Sequence, residues 1–350
     1  MGRRVLITGL GTFWGGRVAQ SLERDPSVDV IVGLDAREPT VELERTEYVR
    51  SEPDYGILAR VVKATKVDTI VHTFLMVDST QMPARRLHEI NVIGTMNLFA
   101  AAAAPGSTVR TVAVKSSTLV YGAAASDPVW FDEDTPRSDP LATRVERSLV
   151  EVEGYVNDFA EDNPDVCVSL LRFSNVLGTD IVTPLSKALG MPFVPSVFGF
   201  DPRFQFVHEG DVIRAIRFVL DNRVPGVFNV AGDGLLPWSE VAAICGKRTI
   251  PLPPIATGLA VAPLRRAGVD LPPELLDLLR YGRGVDNRRL KRAGFRYEHT
   301  SAGAVEAYAE AMRLRRAMGT VLPGYTYERD VEQFFRHSPA VVREPDRSSR

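Results

Sequence analysis

The stretch Val5-Leu6-Ile7-Thr8-Gly9-Leu10-Gly11-Thr12-Phe13-Trp14-Gly15 governs the reading of this chain. Val5 to Thr8 is a compact apolar run rich in β-branched residues, Gly9 to Thr12 reads as a turn, and Trp14 to Glu23 carries apolar residues at helical spacing before Pro26. A strand that feeds a helix through a glycine loop aims backbone N–H groups and the positive helix end at one place. Such a place suits a pyrophosphate, provided small residues let it approach. Val28 to Leu34 reads as a second strand, ending at Asp35, and completes a βαβ unit of the expected length.

A carboxylate at the end of that strand can accept both hydroxyls of a ribose and would repel a 2′-phosphate, which favours NAD over NADP. Arg37, two residues on, pulls the other way, because a guanidinium can hold that phosphate. The residues expected to cradle the dinucleotide are Gly9, Gly11, Thr12, Phe13, Trp14 and Gly15, with Asp35 and Arg37 at the ribose.

Working outward, further strands are expected at Thr69 to His72, Thr111 to Val114, Val166 to Arg172 and Val227 to Val230. Helices are expected at Gly56 to Thr65, Pro83 to Ala104 and Ala142 to Glu161. This alternation implies an α/β fold, a Rossmann-type doubly wound parallel sheet. After Arg172 the elements shorten and prolines multiply, so a smaller C-terminal substrate lobe is expected. The organisation reads as a 1–174 NAD-binding Rossmann domain, a 175–330 mixed lobe with some segments returning to the main domain, and a 331–350 tail that is polar from Pro339 onward.

Composition narrows the classes. Forty-two basic against 44 acidic residues leave a formal charge of -2 over 350 residues, which offers no global pull toward nucleic acid or an anionic membrane. The apolar run after Met1-Gly2-Arg3-Arg4 is too short for a signal-peptide core, and a cytoplasmic location is expected. Cys167 and Cys245 stand far apart without a CxxC or a nearby histidine pair, so buried thiols are expected and no metal site. The apolar segment Ile250 to Leu264 contains Pro251, Pro253, Pro254 and Pro263 and cannot span a bilayer as a helix.

Several motifs then recur together: Thr8-Gly9 to Gly15, Val71-His72, Asn91-Val92-Ile93-Gly94-Thr95, Ser116-Ser117-Thr118-Leu119-Val120-Tyr121-Gly122, Leu171-Arg172-Phe173-Ser174-Asn175, and Val207-His208 with Asp211. In these the chain resembles the extended short-chain dehydrogenase/reductase family, the NAD-dependent sugar-nucleotide epimerases and dehydratases. The resemblance implies that Asn91 braces the sheet, Ser117 is the catalytic hydroxyl beside the substrate carbinol, Asn175 touches the substrate phosphate, and Val71 and Glu52 lie beside the cofactor. It also implies a dimer through the helices Pro83 to Ala104 and Ala142 to Glu161, a homodimer or a heterodimer. A serine that follows a buried strand would present its hydroxyl at the carboxyl edge of the sheet, where ligands bind in such folds. His208 reads as a structural histidine.

The chain departs from that family in three places. The middle glycine of the loop falls on Thr12, with Gly11 one place early. The family's Tyr-x-x-x-Lys pair, in which lysine lowers the tyrosine pKa for proton exchange, falls on Val145 and Leu149, and a shifted register gives only Thr143 and Arg147. The arginine that grips the substrate diphosphate is Phe204, with Arg203 adjacent. Glu146, Tyr121, or Ser117 with a water are the candidate replacement acid/base groups. Three readings follow: a divergent oxidoreductase or epimerase acting on a sugar-nucleotide or other secondary alcohol, a non-catalytic NAD(H)-binding regulatory or partner protein, and a lipid- or steroid-type alcohol dehydrogenase.

Overall fold

A parallel seven-stranded sheet forms the centre of the molecule, and its edges and crossings follow from the alternation of apolar runs and amphipathic helices. The structure, a computed structural model, describes residues 2–78, 82–128, 130–137, 141, 143–253 and 272–318. The strands are β1 (Arg3–Thr8), β2 (Val28–Asp35), β3 (Thr46–Arg50), β4 (Thr69–His72), β5 (Thr111–Ser117), β7 (Cys167–Phe173) and Gly226–Val230, where β6 (Trp130–Phe131) is a short strand outside the sheet. Their order is Gly226–Val230, β7, β5, β4, β1, β2, β3, so the direction of winding reverses between β4 and β1. The connection from β1 to β2 runs through the helix Phe13–Glu23 on one face, and that from β3 to β4 through the helix Tyr55–Thr65 on the other, which opens a crevice at the carboxyl ends of β1 and β4.

Two apolar layers hold the sheet. On one face Leu58 and Val62 of α2 (Tyr55–Thr65), Leu98 and Phe99 of α4 (Gly94–Ala102), and Val152, Val156 and Phe159 of α5 (Arg144–Asp162) pack on Leu6, Val32, Ile70, Val112 and Leu170. On the other face Trp14, Val18 and Leu22 of α1 (Phe13–Glu23), with Val212, Ile216 and Val219 of α7 (Glu209–Asn222), cover Val5, Ile7, Val71, Ala113 and Leu171. Strand residues alternate between the two layers, as the period of two requires. Strands buried on both faces read as nearly continuous apolar runs, which is why Val5 to Thr8 and Thr69 to His72 were legible.

The expected Rossmann-type sheet is present. Strand β3 was not anticipated: it is an edge strand of Thr-Glu-Tyr-Val-Arg with no fully buried residue, so it carries no apolar pattern to read. The expected helix at Pro83 to Ala104 is divided into α3 (Ala84–His88), a π-helical turn at Glu89–Ile93, and α4. The π-turn carries Asn91 inward, and its amide bridges the backbone of Met76 with both bonds at 2.8 Å and donates to Ser148 at 3.2 Å. Helix α7 and strand Gly226–Val230 return to the main sheet after residue 175, with Gly226–Val230 pairing parallel with β7. Met1–Ala309 forms one compact unit. Of the two cysteines, Cys245 is buried and Cys167 only half-buried. The expected tail, and the apolar segment beyond residue 253, lie outside the described residues.

Candidate active site

The glycine loop closes tightly over the crevice. Gly9 has φ +84°, and a Cβ there would meet the Phe74 backbone at 2.6 Å. A Cβ on Gly15 would stand 2.1 Å from the Gly9 carbonyl oxygen, and one on Gly11 would stand 2.6 Å from that of Arg37. Bare backbone is thus required at all three. Thr12 caps α1, its hydroxyl accepting the Gly15 amide at 3.1 Å and donating to the Gly9 carbonyl at 2.7 Å. Putting threonine where the family has its middle glycine therefore converts that position into a helix cap and leaves the loop closed. The first-turn amides of Phe13 and Trp14 have no acceptor inside the helix, as at any helix start, and a pyrophosphate can meet them.

Asp35 ends β2 with its carboxylate directed at this loop. One oxygen accepts the Gly11 amide at 3.0 Å and the other the Arg37 amide at 2.9 Å. The Arg37 side chain is 60% exposed and reaches within 4.0 Å of the same carboxylate. Beside them lies a cavity of about 210 Å³ lined by Asp35, Arg37, Glu52, Phe74, Met76 and Arg86. Glu52 pairs with Arg86 on its rim. Val71 is buried in the sheet one strand over, between Ile7 and Ala113.

A second cavity, of about 140 Å³, opens where β5 and β7 end. Trp14, Val77, Leu119, Phe173, Ile181, Leu185, Leu275 and Leu278 give it mainly apolar walls, and Lys115, Ser117, Ser174, Asn175, Glu274 and Arg283 supply the polar groups. Ser117 caps the short turn Thr118–Tyr121, accepting the Leu119 amide at 3.2 Å, while lining this cavity. The capping and site roles are compatible, because the cap holds the hydroxyl at the strand end. The Asn175 amide donates to the Gln205 carbonyl at 2.9 Å. Arg283 donates to the Thr118 carbonyl at 2.5 Å, yet its Nε and the Ser174 hydroxyl are buried without a hydrogen-bond partner among the described residues.

The structure separates the other proposed acid/base groups from this cavity. Glu146 is buried in a capping box with Thr143 and paired with Arg137 at 2.5 Å. Tyr121 donates to Asn229 at 2.9 Å and accepts from Arg172 at 2.7 Å. Burial raises its pKa more than the neighbouring Arg172 lowers it, so the phenol keeps its proton. Arg172 is itself gripped by Glu153 at 2.6 Å, and Ser116 donates to the same carboxylate at 2.5 Å. Neither Glu146 nor Tyr121 lines the cavity. Val145 and Leu149 have no exposed surface and pack with Leu87, Val120, Phe131 and Val285.

Arg203 lies exposed on a two-residue strand, away from both cavities, and Phe204 is fully buried against Trp238 at 4.7 Å between ring centroids. His208 caps α7 by accepting the Gly210 amide at 3.2 Å and stacks on His299 at 4.0 Å. Asp211, Glu298 and His299 bring potential ligand atoms within 4.8 Å of one another, but Arg214 already sits against Asp211 at 2.6 Å and Glu298 at 3.2 Å. A wider cleft of about 380 Å³ near Trp130, Asp233 and Asp286 contains none of the glycine loop or Ser117.

Sequence reasoning missed Lys115, Ser174, Glu274 and Arg283. Lys115 carried a signal, a lysine inside a run of residues otherwise fit for a buried strand. Glu274 and Arg283 carried none, because each reaches the cavity from over 150 residues beyond Ser117, a matter of tertiary packing.

The fold matches that of solved enzymes at low identity. It superposes on a dTDP-glucose 4,6-dehydratase from Bacillus anthracis, solved in complex with NAD, with TM-score 0.68 and 17% identity, covering 90% of this chain and 98% of that one. A UDP-glucuronic acid 4-epimerase from Bacillus cereus, also with NAD, gives TM-score 0.67 at 14% identity, over 89% of this chain and 99% of the other. In sequence the chain is 33% identical to the Mycobacterium tuberculosis protein Rv0501 over 312 residues, 87% of this chain and 82% of that one. The NAD dependent epimerase/dehydratase family profile matches residues 5–231, from the first residues of β1 to just past strand Gly226–Val230. Bare glycines under a helix start and an acid at the end of β2 fit the cofactor that this match specifies, and the chain belongs to the NAD dependent epimerase/dehydratase family, with NAD as its cofactor.

Proposed function

We propose that the chain is a divergent oxidoreductase of this family acting on a secondary alcohol carried by a mainly apolar molecule. The observation behind this reading is the cavity at Ser117, whose walls are largely apolar and which adjoins the glycine loop through Trp14. Phe204, buried among aromatics where the family has its diphosphate-gripping arginine, also favours an apolar substrate over a sugar nucleotide. Bound NAD supplies the hydride acceptor in one direction and the donor in the other. The chain itself holds the carbinol oxygen at the Ser117 hydroxyl, excludes water with Trp14, Phe173 and Leu278, and offers Ser174 and Arg283 to a polar group of the ligand.

Among the described residues no helix is long and apolar enough to cross a membrane, and a cytoplasmic location belongs to the same proposal. So does a homodimer, for which Ile93, Met96 and Val150 stand more than a third exposed on the helices the resemblance assigns to pairing. Light scattering of the parent and of a Met96→Glu variant tests it.

A second reading, a non-catalytic NAD(H)-binding protein, is favoured by the conversion of positions 145 and 149 into core. Purified protein is titrated with NADH, followed by quenching of Trp14, and then assayed for NAD reduction with cyclohexanol and with UDP-glucose. Turnover of cyclohexanol that disappears in Ser117→Ala supports the oxidoreductase. NADH binding with no turnover of either probe leaves the binding protein, and turnover of UDP-glucose alone restores the sugar-nucleotide substrate.

A further inference from the structure

Lys115 is the ionisable group that shares Ser117's side of the strand. The two residues are separated by one position on β5, so both side chains leave the same face, and both line the cavity. The intervening Ser116 points the other way, to Glu153 under α5. Lys115 is 8% exposed, and its Nζ donates to the Leu75 carbonyl at 2.8 Å. Among the described residues it has no carboxylate partner, and two of its three N–H directions are left for a ligand. A buried ammonium without a counter-ion is costly to hold, and lysines that tolerate this place are those whose proton comes off readily.

We propose that Lys115 is the proton-exchanging residue of this site: as the free amine it takes the hydroxyl proton of a carbinol held by Ser117, and as the ammonium it returns that proton in reverse. The O–H bond of the carbinol breaks as an N–H bond forms on Nζ, while the hydride leaving the carbinol carbon is what bound NAD accepts. This rests on the oxidoreductase reading above.

The surroundings permit the exchange. From β4, the His72 ring is held by the Thr8 and Thr95 hydroxyls at 2.8 and 2.9 Å rather than in the cavity, and burial lowers its pKa to about 3, so it stays neutral. Glu274 and Arg283 stand on the cavity wall, while Glu153 and Arg172 are paired to each other across the other face of β5. Burial lowers the Lys115 pKa to about 8, which places both protonation states within ordinary working conditions. Glu274 is the other buried acid/base group on the wall, but it comes from the helix Pro273–Tyr281 rather than from the strand that carries Ser117.

The test uses the intact chain with NAD, NADH and cyclohexanol. The oxidised nicotinamide is a cation and the reduced ring is not, so NAD binding beside Lys115 favours the free amine. NAD affinity should rise about tenfold from about pH 7 to about pH 9 while NADH affinity stays level. Lys115→Met should bind NADH within about twofold of the parent, lose the NAD pH dependence, and turn over cyclohexanol about a hundredfold more slowly. Lys115→Arg keeps the cation but cannot release its proton, and should not rescue the rate. A pH-independent NAD affinity in the parent overturns the proposal, as does Lys115→Arg retaining full turnover, or Glu274→Gln removing the pH dependence in place of Lys115→Met. Failure to bind NAD or NADH at all would instead overturn the oxidoreductase reading itself.

Discussion

The Gly11 amide donates to the Asp35 carboxylate at 3.0 Å, tying the glycine loop that follows β1 to the acid that ends β2. The sequence assigns the same carboxylate to the ribose of the nucleotide, an assignment under which loop closure and nucleotide recognition would depend on one side chain. Asp35→Ala is expected to lower NAD affinity by about tenfold to a hundredfold, the scale of one or two charge-assisted hydrogen bonds. With the repelling charge gone and Arg37 retained, NADP should lose less affinity than NAD. Calorimetric titration with both nucleotides measures the two changes.

Gly15→Ala places a methyl group 2.1 Å from the Gly9 carbonyl oxygen, backbone against backbone, where neither side can yield cheaply. A loss of about 2–3 kcal/mol is expected from such overpacking, together with loss of NADH binding. Denaturant unfolding reads the first, and nucleotide fluorescence the second. Full binding in this variant would show that the loop takes another path.

Lys115 also leaves a mark on stability. Its pKa is about 8 in the folded chain against 10.5 as a free side chain, so between these values the unfolded chain binds more protons and stability rises with pH. Below that window the buried ammonium costs up to about 3 kcal/mol. Lys115→Met should therefore be more stable than the parent at neutral pH, with the advantage shrinking above about pH 8 and gone by about pH 10.5. Unfolding curves at a series of pH values test the sign as well as the size.

Restoring the family's missing pair should fail. Val145 and Leu149 are fully buried and packed on Leu87, Val120 and Phe131, so Val145→Tyr with Leu149→Lys forces a phenol and an ammonium into a filled core. A loss of more than about 3 kcal/mol and no gain in cyclohexanol turnover are expected. Thermal unfolding together with the turnover assay decides it.

Positions that depend on near neighbours in the chain were legible. The run from Val5 to Gly15 specifies strand, loop and helix through local constraints, and Asp35 follows at the distance one βαβ unit imposes. Residues 69–72 were bounded correctly for a similar reason, since a strand buried on both faces can only be a short apolar run. Edge strand β3 was not legible, because an exposed ribbon of mixed residues has no pattern to detect. Glu146 shows the limit at the site: its place beside position 145 suggested a base, and only packing shows it committed to Arg137 and the helix cap.

The amino-acid order alone determined the tight glycine loop under the first helix, the parallel sheet and the absence of a tyrosine and lysine at positions 145 and 149, since each is a matter of residue type at short spacing. Tertiary structure alone decided which distant groups join Ser117 and how deeply its strand neighbour Lys115 is buried. Lys115 shares its strand face, while Glu274 and Arg283 come to the same cavity from the far end of the chain. Their convergence depends on how layers close over the sheet edge, and the resulting burial, which no single stretch encodes, lowers the pKa of a lysine at that place to about 8.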